Sequence, residues 1–308
     1  MTTATRIVGF VVGLVVVFAL ALGLGRQVGP IGEPAAAHPG AASPATGDGA
    51  NGGAADLPGG LMVSQDGYTL QLSSPTAGPG TDVPVSFTVT GPDGRPVTDF
   101  EIEHEKELHL IAVRRDFTGY QHVHPARGDD GTWSTELDLE PGLWRLFADF
   151  TASGADNLTL GADLSVPGSA ALAEPVGETR TVTVDGYTVT LSGDLVAGEE
   201  ARLTLTVSKD GTPVTDLQPY LGAYGHLVAL REGDLAYLHV HPDGEPGDST
   251  TKPGPDVVFY AEVPSDGAYR LYLDFQHEGV VHTAPLVATT VASSADHSPT
   301  PDHSGDDH

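Results

Sequence analysis

HLIAVRRDFTGYQHVHP, residues 109–125, and HLVALREGDLAYLHVHP, residues 226–242, are one pattern written twice. Each opens with an apolar run headed by His, crosses a polar turn, and closes on Tyr-x-His-Val-His-Pro. The same texture extends outward on both sides, in YTLQLS (68–73), VPVSFTVT (83–90), WSTELDL (133–139) and LWRLFADFT (143–151). Period-two alternation of β-branched and aromatic residues, broken every ten or so residues by Gly, Pro and Asp, predicts short strands packed as a sandwich. No stretch after residue 60 carries a convincing helical period.

The repeat sets the organisation. DGYT recurs at 66–69 and 185–188, DGRPVTD (93–99) as DGTPVTD (210–216), and LFADF (146–150) as LYLDF (271–275). The second copy is longer because GEPGDSTTKPGPD follows its HVHP. The expected fold class is all-β: two tandem immunoglobulin-like (Greek-key) β-sandwich domains after an N-terminal transmembrane helix and a flexible linker. The expected segments are a signal-anchor at 1–26, an Ala/Gly/Pro linker at 27–59, the first sandwich at 60–167, a link at 168–177, the second sandwich at 178–292, and a His/Asp-rich tail at 293–308. The linker and tail are too poor in apolar residues to offset chain entropy, and are read as disordered.

Residues 8–25, VGFVVGLVVVFALALGLG, are uncharged and flanked by Arg6 and Arg26. That run is about 27 Å long as a helix, enough to span a bilayer's hydrocarbon core. It reads as an uncleaved anchor with the sandwiches outside the cell; the alternative is a cleaved signal peptide and a secreted chain. A net charge of −28, from 14 Lys+Arg and 42 Asp+Glu, repels nucleic acid and anionic lipid and suits cations. The chain has no Cys and two Met, so thiolate and Met-rich metal sites are excluded and any metal must use His and carboxylate.

The chain has 13 His. His109, His122 and His124 match His226, His239 and His241. In a strand, His at i and i+2 share a face, and two such imidazoles can chelate one ion at about 2.0–2.1 Å. His109 or His226, on a neighbouring strand, is a candidate third ligand. Asp149 and Asp274, each set among apolar residues, are candidate fourth ligands or supports for an imidazole. The competing reading is that these histidines are architecture, a polar corner locking each sandwich. EIEHEKE (101–107), read as a strand, puts its Glu side chains on one face and His104 on the other, a solvated acidic rim or a cation-attracting mouth. The tail histidines read either as a weak chelating tail or as plain solvated chain. Catalytic signatures are missing: G-x-S-x-G, H-E-x-x-H and a P-loop do not occur.

At HLIAVRR, YQHVHP and LFADF the chain resembles a group of exported actinobacterial proteins that pair a membrane segment with two sandwich repeats. More distantly it is similar to the YtkA-like and CopC-like β-sandwiches of the bacterial envelope. That resemblance implies copper binding through His-rich sites. It departs from the CopC-like pattern, in which a ligand His lies at the mature N-terminus, where this chain has a long tether.

The expected function is therefore a non-catalytic envelope protein that binds, buffers or delivers a divalent metal, copper(II) first and zinc(II) second. The alternative is an envelope module for protein–protein contact with structural histidines and no metal.

Overall fold

The alternating runs of the first copy become β1 (Ser64–Gln65), β2 (Tyr68–Leu72), β3 (Gly80–Thr90), β4 (Leu108–Arg114), β5 (Gln121–Val123), β6 (Ala126–Arg127), β7 (Thr132–Leu139), β8 (Gly142–Phe150) and β9 (Leu158–Val166). The second copy supplies β10 (Thr181–Val184), β11 (Tyr187–Ser192), β12 (Glu200–Lys209), β13 (Thr212–Pro213), β14 (His226–Arg231), β15 (Tyr237–Leu238), β16 (Val240–Pro242), β17 (Asp256–Glu262), β18 (Ala268–His277) and β19 (Val280–Thr289). The computed structural model describes residues 57–171, 173–174, 176–238 and 240–292, with only the backbone of His241. The expected membrane segment and the tail lie outside these residues, as does nearly all of the linker. Among the described residues no helix is long and apolar enough to cross a membrane.

In the first copy a sheet ordered β1-β2-β3-β7-β6 faces one ordered β5-β4-β8-β9. The second copy repeats this with β10-β11-β12-β17-β16 and β15-β14-β18-β19. Each pairing between these strands is antiparallel, and the orders follow the two-sheet immunoglobulin plan. Alternate side chains fill the space between the sheets. In the first copy these include Leu70, Phe87, Leu110, Trp133, Trp144 and Leu164; in the second they include Tyr187, Leu205, Phe259, Leu271 and Phe275.

The strand β4 is buried along its whole length, which a half-exposed sheet would not allow. Leu108, Leu110 and Ala112 point into the first copy's own core. The opposite face carries Ile111 and Val113, which pack with Phe147 against Val228, Leu230, Leu235, Tyr237 and Tyr272 of the second copy. The two copies thus stack their β4/β8 and β14/β18 sheets face to face, within one compact unit. Tyr120 stacks on Tyr272 with ring centroids 4.0 Å apart, and Phe147 meets Tyr237 at 5.7 Å. These two contacts match through the repeat, so the copies are related by an approximate two-fold relation. Full burial of each large apolar side chain here is worth about 1.5–3 kcal/mol.

Two local expectations change. Residues 101–107 form no strand: Glu103-His104-Glu105-Lys106 is a tight turn with positive φ at His104 (47°) and Glu105 (64°). Chain direction reverses there, so the alternation of Glu and His does not sort them onto two faces. In the second copy the HVH triplet does not follow one strand, because β15 ends at Leu238 while Val240–Pro242 pairs with β17 in the other sheet.

Candidate metal centre

His109 lies second in β4, between Leu108 and Leu110, which enter the core. Alternation therefore turns its side chain to the face that meets the second copy. Across the ladder its register partner is Asp149 on β8. The neighbouring strand β5 places His122 opposite Ile111 and Val123 opposite Leu110. β5 ends at Val123, and the next residue, His124, comes beside His109. The i, i+2 rule and the antiparallel register together converge three imidazoles on one point.

The convergence is close. His109 Nδ1 lies 3.1 Å from His122 Nε2 and 3.1 Å from His124 Nε2. One nitrogen from each of the three rings falls within 4.8 Å of the others. The ring centroids are 5.3 Å (His109–His122), 4.9 Å (His109–His124) and 4.9 Å (His122–His124) apart.

The outer nitrogens fix the tautomers. His109 Nε2 donates to the Glu103 carbonyl at 3.1 Å; a carbonyl only accepts, so Nδ1 of the neutral ring is a bare lone pair. His122 Nδ1 donates to Asp274 Oδ2 at 2.9 Å, which in a neutral ring leaves His122 Nε2 bare as well; a protonated His122, paired with Asp274, would instead donate from Nε2 to His109 Nδ1. Two lone pairs then face each other at 3.1 Å. His124 can place one N–H at His109, but nothing else among the three rings supplies a proton for His122 Nε2. A cation resolves this arrangement, either a proton on His122 Nε2 held by Asp274 or a metal ion at the centre of the three rings. Three nitrogens at 2.0–2.1 Å from a tetrahedral ion stand about 3.3 Å apart, close to the two 3.1 Å distances from His109 Nδ1. Hydrogen bonds from the outer nitrogens to a carbonyl and a carboxylate are the usual supports of ligating His.

Electrostatics favour neutral rings at His109 and His124. Burial, reinforced by the neighbouring His122, lowers His109 to about 3; burial and then His122 lower His124 to about 3 as well. The imidazoles of His109 and His124 are therefore available as ligands without losing a proton over a wide pH range.

The remaining expected site residues are arranged across the two copies. Asp274, from β18 of the second copy, serves the first copy's His122; it also accepts from Tyr120 at 3.3 Å and from Thr283. Asp149, from the first copy, accepts from Thr159 at 3.1 Å, Asn157 at 3.2 Å and Tyr237 of the second copy at 3.4 Å. Each copy's Tyr reaches the other copy's Asp. Burial, and then those carboxylates, raise Tyr120 and Tyr237 well above the usual phenol range, so both stay donors. His226 stands outside the triad: its Nε2 donates to the Tyr220 carbonyl at 2.8 Å, and its ring lies 6.3 Å from that of His122. Burial, chiefly, lowers it to about 4. His239 lies outside the described residues, and for His241 only the backbone, paired with Tyr260, is described. A cavity of about 50 Å³ beside the triad is lined by His104, His109, His122, Asp149 and His226, among others.

Sequence reading did not find the Glu103 and Tyr220 carbonyls, nor that His104 sits at this site. The carbonyl role has one sequence signal, their equal distance of six residues before His109 and His226. His277 and His282, unmatched in the first copy, are buried elsewhere on Tyr187, Asp216 and Asp185, and belong to the second copy's packing.

A family model described as a domain of unknown function (DUF8832) matches residues 63–166 and 182–292. The chain belongs to this family. Its two matched stretches coincide with the two sandwich copies. No curated protein matches the sequence. Among solved structures, the chain is similar to the Escherichia coli adhesin FdeC, at 15% identity over 74% of this chain and 65% of that one, with a TM-score of 0.25. The Yersinia pseudotuberculosis adhesin InvE follows at 13% identity, 73% and 59% coverage and a TM-score of 0.23. Invasin, a bacterial integrin-binding protein, matches at 10% identity, 73% and 39% coverage and a TM-score of 0.23. The chain thus spans less than two thirds of the length of these structures. Identity and TM-score at this level carry no information on function.

Proposed function

We propose that this protein is a non-catalytic cell-envelope metal binder. The triad His109/His122/His124 holds one borderline divalent ion, copper(II) first and zinc(II) second, since imidazole and carboxylate suit both. The observation that carries this reading is the pair of facing lone pairs on His109 Nδ1 and His122 Nε2, held 3.1 Å apart by the Glu103 carbonyl and Asp274. A proton on His122 relieves that contact; the convergence of a third nitrogen, His124 Nε2, at 3.1 Å from His109 Nδ1 favours a metal ion. The small cavity, about 50 Å³, has room for an ion and a water or two, which supports binding and delivery over turnover. The matching residues His226, His239 and His241, with Asp149, are the second copy's candidate set.

Residues 8–25 would tether the chain to the membrane with both sandwiches on the outer side. The acidic surface, net −28, would concentrate cations there. The likeness to CopC-like envelope sandwiches supports copper as the first ion to try. Titration calorimetry with copper(II) and zinc(II) tests the reading. The chain should show a sub-micromolar site that the H122A/H124A variant lacks, and equal affinity in both proteins would remove the triad from consideration.

A further inference from the structure

We infer that His104 and His226, one from each copy, form a second metal position beside the triad; the inference rests on the reading of the triad as a metal centre. His104 is exposed and sits on the turn Glu103–Lys106, which is closed by reciprocal backbone bonds of 2.9 Å. Both central residues have positive φ, a conformation that costs a non-glycine residue energy and persists where the surroundings fix it. The second copy builds the matching turn from Tyr220 to Ala223 with Leu221 and Gly222 at positive φ. The turn's shape is therefore common to both copies, and its imidazole is particular to the first.

The turn carries the His104 ring to 5.1 Å from the His226 ring, with the planes at 82°. Two imidazoles on one tetrahedral ion have centroids about 5 Å apart, given nitrogen–metal distances of 2.0–2.1 Å. The three pairs within the triad, at 4.9–5.3 Å, show the same spacing. His226 spends its Nε2–H on the Tyr220 carbonyl, as His109 does on Glu103, so its Nδ1 is left as a lone pair. Both rings line the cavity beside the triad, and Asp149 and Glu103 on the same wall supply negative charge for a second cation. The ligand class is again a borderline divalent ion, held by two imidazoles and water. Because His104 is exposed, this position is open to exchange with solvent.

The test counts ions. The full chain, His104→Asn and H122A/H124A are dialysed against the same free copper(II) and the bound metal is measured. Asn keeps the left-handed turn and removes the imidazole. The proposal expects His104→Asn to hold one ion fewer per chain while the tighter ion stays. It expects H122A/H124A to lose the tighter ion and keep the one that depends on His104. Equal counts for the full chain and His104→Asn overturn this inference and leave the triad standing. No loss in H122A/H124A overturns the reading of the triad itself.

Discussion

His122 of the first sandwich donates its Nδ1–H to Asp274 of the second at 2.9 Å, with the two side chains only 7% and 3% exposed. The first copy's histidine cluster is therefore supported by a carboxylate that its own sequence repeat does not contain. Replacing Asp274 by Asn preserves shape and removes the charge behind the ligand. We expect a 10- to 100-fold loss of copper(II) affinity, the usual effect of losing such a support, read by calorimetry. Unchanged affinity would separate Asp274 from the metal.

The depressed histidines set an acid limit on the metal-free protein. In the unfolded chain their rings titrate near 6.5; in the native state His109 and His124 titrate at about 3 and His226 at about 4. Below pH 6.5 the unfolded chain binds protons that the native state does not, so this contribution is fully present above 6.5 and stability falls as pH drops from 6.5 toward about 3. His109 alone contributes on the order of 3 kcal/mol between pH 7 and 4. Urea midpoints in chelator at pH 7 and pH 5 check the sign, and a midpoint that rises on acidification would contradict it.

The stacked sheets make a prediction about the isolated first copy. Residues 60–167 alone would expose Ile111, Val113 and Phe147, which are fully buried in the whole chain. The second copy covers that face with a near-equivalent one. A second first copy can do the same, so the fragment should run as a dimer by light scattering, and Phe147→Glu should return it to a monomer. A monomeric fragment would show that the stacking contributes little.

Ile111→Ala opens a cavity between the copies and should cost about 2–5 kcal/mol in chemical denaturation. Leu143→Ala, at a side chain 56% exposed, should stay within about 0.5 kcal/mol. Near-equal costs would place the core elsewhere.

Much of this was legible from residues. The runs at 68–73, 83–90, 109–115, 133–139 and 143–151 overlie β2, β3, β4, β7 and β8, because alternation survives wherever one face is buried. HVH at 122–124 and His109 do meet, because register follows from the strand pattern. The stacking of the copies was less legible. Its signal was the unbroken apolar run in HLIAVRR, which marks a strand covered on both faces. The exchange of Asp149 and Asp274 between copies left no trace in spacing, since a repeat compared with itself cannot show which copy a side chain reaches. His104 was misplaced because His-Glu is a rare filling for a turn with two positive φ angles, whereas Leu221-Gly222 at the matching position carries the glycine that marks one.

The most direct measurement is X-ray absorption at the metal edge on the chain loaded with one equivalent of copper(II) or zinc(II). The account predicts three imidazole nitrogens at about 2.0–2.1 Å, with the multiple-scattering features of His rings, and in H122A/H124A a fall to the two imidazoles of His104 and His226. A shell of oxygen ligands with no imidazole scattering, or an unchanged spectrum in that variant, would contradict it.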